Sequence, residues 1–267
     1  MKRLLILIFA FVFCNITPLI AQQYYVGPSG SDTNDCLTYA TACKTPQHIV
    51  SIMPTGVGPV DLNLLDGNYT FNVDLPHYRY LRIVGNCSVQ SNVQITVPAG
   101  TVGFFVEDHA TLHTRCLRVQ TNGNGSTAFG GRQYAIIDFD LIEFGYFPLG
   151  TYFSLNETSR ANCVGTNWLV STSGGAGAQN FSQTRDHSTI TMSCALIASQ
   201  PTSFQNASNG IATPFHHGTK WSIGDYSGFT YYGTITGQKY FLQNSEIDGA
   251  SLLPGSGTTA DSLSAIH

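Results

Sequence analysis

The chain has 267 residues, 42% of them hydrophobic and 12% aromatic, which supplies a sizeable core and excludes global disorder. Twelve basic side chains against sixteen acidic ones give a net charge of −4, so the basic excess of a nucleic-acid binder is missing. Charged residues make up only 10% and there are 27 glycines, a composition that excludes long-helix proteins and favours many short strands and turns.

In chain order, the first element is an address label. Lys2 and Arg3 precede an apolar run over residues 4–13, and Ala21 supplies a small residue at a cleavage site. This is the pattern of a secretory signal peptide over residues 1–21, and the run is too short to span a membrane. Export places the six cysteines of the mature chain in an oxidising compartment. Cys36 and Cys43 lie seven apart in one turn-rich segment and are expected to form a local disulfide. Cys87, Cys116, Cys163 and Cys194 leave three connectivities open. No pair has the Cys-x-x-Cys spacing of a zinc site, and His216-His217 has no third ligand in view, so no metal site is read here.

A short helix is expected near residues 46–53. Thr45 can cap it, Pro46 suits its first position, and Ile49, Val50 and Met53 give it an apolar face. Residues 60–65 then read as a first core strand, closed by Asp66-Gly67. Downstream, aromatic anchors recur at Phe105, Phe129 and Phe153, spaced 24 and 24, and continue at Phe181, Phe215 and Phe241. Repeats of this length mark solenoids or propellers. Within each unit the alternation has period two: Ala135, Ile137, Phe139 and Leu141 on one face, Ile136, Asp138 and Asp140 on the other. Ile190, Met192 and Cys194 alternate in the same way with Thr189, Thr191 and Ser193. Strand-rich coils of this period stack like residues in their interior, and a helix at the N-terminal end covers the first open coil.

The stretches YYVGPSGSD, NDC, TACKTPQHI and LLDGNY, between residues 24 and 69, resemble the opening segment of the pectin-lyase-like superfamily of right-handed parallel β-helix proteins, in particular its secreted and phage-tail-like members. GQKYFLQNSEIDGASLLPGSGTT, residues 237–259, resembles the last coil and tail of such chains. The resemblance implies an all-β fold: a single-stranded right-handed parallel β-helix with a short N-terminal capping helix. Signal peptide 1–21, opening segment with the helix 22–56, β-helix 57–250 and a flexible tail 251–267 are the expected divisions. The superfamily holds lyases, hydrolases, esterases, tailspikes and adhesins, so fold alone does not choose a function.

The catalytic motifs of its enzyme branches are missing. Phe215-His216-His217-Gly218 only echoes the Gly-His-Gly of polygalacturonases, and Asp138-Phe139-Asp140-Leu141 shares two residues with the Asp-Phe-Ile-Phe-Gly run of pectin methylesterases. The nearest constellation lies on the outward face of the middle coils. If Leu112 stacks on Ile137, His113 lies beside Asp138 and Arg115 beside Asp140, with Arg160 and Asn162 next. Asp138 and Asp140 would sit about 7 Å apart, a spacing that suits a calcium ion or an acid–base pair across a glycosidic bond. The bland alternative is a ladder of opposite charges between stacked strands. Glu107, Asp108, His109, Glu157, Asp186 and His187 are read as a second polar set in turns, and Trp168, Trp221, Tyr226, Tyr231 and Tyr232 as surface aromatics.

These readings lead to a secreted, extracellular or periplasmic β-helix that binds carbohydrate without cleaving it, or serves as an adhesin- or tailspike-like element. The alternative is a polysaccharide lyase or glycoside hydrolase acting on an acidic polysaccharide. Candidate catalytic residues are Asp138, Asp140, Arg115 and Arg160; candidate ligand-binding residues are His113, Asp138, Asp140 and Arg115. No cofactor is expected, calcium being the ion the two carboxylates suit. The expected partner is a polysaccharide or cell-surface glycan, with no nucleic acid and no stable membrane span.

Overall fold

A computed structural model describes residues 22–267, except 57, 122, 146, 148–149, 164–167, 172–174, 177, 199–201 and 204–213. The proposed signal peptide lies outside the described residues. Among the described residues every strand pairing is parallel, and the strands fall into sheets of fifteen, eight and three. Strands wind from sheet to sheet and return one coil later, which makes a right-handed parallel β-helix, the hand that parallel crossovers favour. The long sheet runs from Gln23–Val26 through Val60–Leu64, Tyr80–Val84, Thr111–Thr121, Ile136–Phe144 and Arg160–Cys163 to Glu246–Asp248 and Ala265–Ile266.

The N-terminal end is sealed as the sequence implied. The helix spans Pro46–Ile52; Thr45 caps it by accepting the His48 N–H, and Ile49 and Val50 are buried. Cys36 and Cys43 are bonded, with Cα atoms 4.9 Å apart, and the Cys43 segment pairs with Val26. The other cysteines pair as Cys87–Cys116 and Cys163–Cys194.

The interior is a column of rings. Phe104, Phe129, Phe153, Phe181 and Phe215 are wholly buried; 104–129, 129–153 and 181–215 stack with centroids 5.1, 5.3 and 4.5 Å apart, and 153–181 meet tilted at 5.5 Å. Such contacts add about 0.5–1.5 kcal/mol per pair beyond burial. Two expected anchors are displaced. Phe104, not Phe105, aligns with Phe129, because Phe104 and Val106 form the inward face of Val102–Val106. Phe105 points outward beneath the Arg132 guanidinium, 5.0 Å away. Phe241 pairs in register with His217 and stays outside the column.

The alternation also breaks at one corner. Ile137 and Phe139 are buried as expected, but Leu141 is not: it takes φ +51°, and Ile142 and Phe144 become the inward residues after it. Cys116, just past the matched Arg115, takes φ +62° in the strand below. A left-handed residue in mid-strand turns the chain and resets which parity faces inward.

Turns at a second corner stack more regularly. His77-Tyr78, Asp108-His109, Gln133-Tyr134, Glu157-Thr158, Asp186-His187 and Lys220-Trp221 are all left-handed pairs. In each, the second N–H donates to the first carbonyl of the next coil, as from Tyr78 to Asp108 (3.0 Å) and His109 to Gln133 (2.9 Å). A small buried residue follows five of these six turns (Ala110, Ala135, Ser159, Ser188 and Ser222), which lets the chain bend tightly against the core; Arg79 takes the place after His77-Tyr78. The expected tail over residues 251–267 instead continues the solenoid: Thr258–Ala260 pairs with Gln238–Gln243, and Ala265–Ile266 with Glu246–Asp248. No helix among the described residues is long and apolar enough to cross a membrane.

Candidate functional site

The outer face of the long sheet carries the polar rows. One runs Asp61, Arg82, His113, Asp138, Asn162, Thr191, each residue opposite the next across the parallel ladder. The adjacent row runs Asn63, Val84, Arg115, Asp140. The expected register is therefore the observed one: Leu112 opposes Ile137, His113 opposes Asp138, and Arg115 opposes Asp140. Arg160 and Asn162 follow on the next strand, opposite Ile136 and Asp138.

Asp138 Oδ1 accepts a hydrogen bond from Asn162 Nδ2 at 2.8 Å. Asp140 Oδ2 lies 3.6 Å from Arg115 Nη2. Asp140 is not the open, solvated group that alternation implied. Its side chain is only 12% exposed, and Oδ1 is buried without a hydrogen-bond partner. The left-handed turn at Leu141 follows directly after Asp140 and interrupts the flat ladder there. Arg160 is exposed and sits in a neighbouring row with Thr189, apart from the other candidates.

A cleft of about 210 Å³ opens one to three rungs toward the N-terminus, lined by Asp61, Asn63, Arg82, Val84, His113 and Arg115. Of the sequence-derived candidates, it gathers His113 and Arg115; Asp138 and Asp140 lie one rung behind. Asp61, Asn63 and Arg82 were missed, yet the signal was legible: V-D-L-N-L and Y-L-R-I-V alternate as cleanly as the middle coils. Arg82 grips Asp61 with two prongs, Nη2 to Oδ2 at 2.6 Å and Nε to Oδ1. His113 Nε2 and Arg115 Nε are buried and have no partner. Burial pulls the His113 imidazole below its usual pKa, opposed in part by Asp138 and Asp140. The histidine is thus neutral near pH 7, offering one donor and one acceptor.

The turn residues form a separate surface. Tyr78, His109 and Tyr134 stack, with centroids 4.9 and 4.8 Å apart. Asp108 lies between His77 and His109, and hydrogen bonds from these two, His77 first, hold its carboxyl below the ordinary range. Arg132 Nε donates to Glu107 at 2.7 Å. Among the expected surface aromatics, Trp221, Tyr231 and Tyr232 are exposed, whereas Tyr226 is fully buried. The Trp168 side chain lies outside the described residues. Tyr226 belongs to an internal triangle: Ser182 Oγ lies 2.8 Å from His216 Nδ1 and 2.6 Å from Tyr226 Oη, and Tyr226 Oη lies 3.0 Å from His216 Nδ1. Gly224 makes the room for it, since a Cβ there would come within 2.8 Å of His216 Nε2.

No protein-family model matches the sequence, and no curated protein matches it. Solved structures do. One is a pectin methylesterase variant in complex with a hexasaccharide, at 12% identity over 85% of this chain and 79% of that one, with a TM-score of 0.49. The pectin methylesterase PemA from Erwinia chrysanthemi is 11% identical over 87% and 80%, with a TM-score of 0.45. Pectin methylesterase from carrot is 13% identical over 90% and 88%, with a TM-score of 0.31. These likenesses bear on no residue of the site.

Proposed function

We propose that the protein is an exported β-helix that binds glycan chains on the outer face of its long sheet without cleaving them. The observation that carries this reading is the cleft between Asp61 and Arg115. It presents two guanidinium groups and a neutral imidazole, with buried nitrogens of His113 and Arg115 left unpartnered. Guanidinium N–H groups donate to hydroxyls and, with charge assistance, to sugar carboxylates. A buried nitrogen without a partner loses its hydration until a ligand replaces it.

The carboxylates support binding over hydrolysis. Asp61 is held by Arg82, Asp138 by Asn162, and Asp140 by Arg115. A glycosidase needs one carboxyl group to deliver a proton and a second to activate water or attack the sugar. Three disulfides agree with an oxidising compartment, and residues 1–21 supply the route of export.

The test is a panel of neutral and acidic polysaccharides, assayed for binding by affinity electrophoresis and for reducing-sugar and unsaturated products, with and without calcium. Binding without products, weakened by Arg115→Ala, is expected. Turnover that disappears in Asp138→Ala or Asp140→Ala would replace this reading with that of a lyase or hydrolase.

A further inference from the structure

The outward rows do not end at the cleft. They continue to the last two rungs of the long sheet, where the chemistry changes. Glu246 and Asp248 lie two apart on one strand and so project from the same face. The next strand pairs Glu246 with Ala265 and Ile247 with Ile266, which sets His267 directly opposite Asp248. One ligand atom each from Glu246, Asp248 and His267 lie within 4.8 Å of one another.

We propose that Glu246, Asp248 and His267 form a binding site for a divalent transition metal of the zinc class, joining Glu246–Asp248 to the strand Ala265–Ile266 that pairs with it. Zinc bound at 2.0–2.2 Å in tetrahedral geometry holds neighbouring ligand atoms roughly 3.3–3.5 Å apart. His267 Nε2 lies 3.4 Å from Glu246 Oε1, the separation of two donors on one such ion. The imidazole decides the class of metal. Calcium and magnesium take oxygen ligands, whereas imidazole with carboxylates suits zinc, nickel or copper. Three protein ligands leave a fourth position for water.

The backbone holds all three residues in place. Glu246 N–H donates to Ser222 O, His267 N–H to Ile247 O, and Gly249 N–H to His267 O, at 2.9, 2.9 and 3.1 Å. Charge adds a second reason. Asp225 stands directly opposite Asp248 on the preceding rung, and like charges so paired repel. Among the described residues, no lysine or arginine forms an ion pair with Glu246 or Asp248. A cation offsets that repulsion. It also ties down the strand whose Ile266, the last of the inward row, is half exposed over Ile247. A metal that binds only the folded end stabilises that end.

The test uses the protein freed of metal with EDTA. Zinc, cobalt and calcium are titrated separately, followed by calorimetry, by the visible absorption of bound cobalt and by thermal melting. One equivalent of zinc should bind saturably and raise the melting midpoint. His267→Ala and Asp248→Asn should each weaken zinc binding by on the order of tenfold or more, while melting like wild type in EDTA. His77→Ala, on a distant turn, should leave zinc binding unchanged. Absence of saturable zinc binding, or equal affinity in wild type, His267→Ala and Asp248→Asn, overturns the proposal. Tighter calcium than zinc binding that survives His267→Ala overturns it as well, by reducing the site to an acidic surface. None of these outcomes bears on glycan binding, so the two proposals fail separately.

Discussion

Arg82 and Asp61 face each other across one rung of the parallel ladder, and the guanidinium of one takes both oxygens of the other. The pair forms one wall of the cleft and fixes the Arg82 head group at its rim. The hydrogen bonds that Arg82 donates to Asp61 raise its pKa further, so the cation persists at any working pH.

That geometry separates binding from stability. Arg82→Ala removes a partly exposed ion pair and should cost no more than about 1 kcal/mol in a denaturant melt. Loss of a charge-assisted hydrogen bond to a glycan should cost more, about 1.5–3 kcal/mol, read as roughly a tenfold or larger loss of affinity. Arg115→Ala should behave alike. Asp138→Asn should change affinity little, because Asn162 already holds that side chain.

The ring column predicts a sharp contrast between neighbouring-looking phenylalanines. Phe153 is wholly buried and touches Phe129, Phe139 and Phe181. Phe153→Ala should destabilise by about 3–5 kcal/mol. Phe105→Ala loses a partly buried ring on the outer face and the Arg132 contact, and should cost less, about 1–2 kcal/mol. Equilibrium unfolding of the two variants checks the contrast.

His216 makes the core sensitive to acid. Complete burial, aided by the charge of His217, pushes its pKa down to about 3, against about 6.5 in an unfolded chain. The unfolded state therefore takes up a proton that the native state refuses. Stability is full above about pH 6.5 and falls as pH drops toward about 3, by on the order of a few kcal/mol. Melting midpoints between pH 7 and 4 should show this slope, and His216→Gln should flatten it while lowering stability at pH 7.

The three disulfides should contribute unequally. Cys163–Cys194 closes a loop with a sequence separation of 31, Cys36–Cys43 one of 7. Chain-entropy reasoning assigns about 3–4 kcal/mol to the long loop and about 2–2.5 kcal/mol to the short one. Paired Cys→Ser variants, compared by thermal melting under oxidising conditions, should follow that order.

Local rules were enough for much of this protein. Thr45 and Pro46 mark the capping helix because an N-cap acceptor and a preset φ act within one turn of chain. Cys36 and Cys43 were assignable because so few residues separate them. The matches of His113 to Asp138 and Arg115 to Asp140 followed from alternation once Leu112 was stacked on Ile137, since one register fixes every side chain of a rung. Tertiary structure decided what depends on where coils bend and stack. One left-handed residue, Leu141, reversed the inward parity and closed the surroundings of Asp140. Packing against neighbouring coils placed Phe104 rather than Phe105 in the ring column and drew Tyr226 inward to Ser182 and His216. The Cys87–Cys116 and Cys163–Cys194 pairs, like the meeting of Glu246 and Asp248 with His267, join residues from successive coils. Their proximity comes from the length of each turn of the solenoid, which loops of unequal length set and no local pattern encodes.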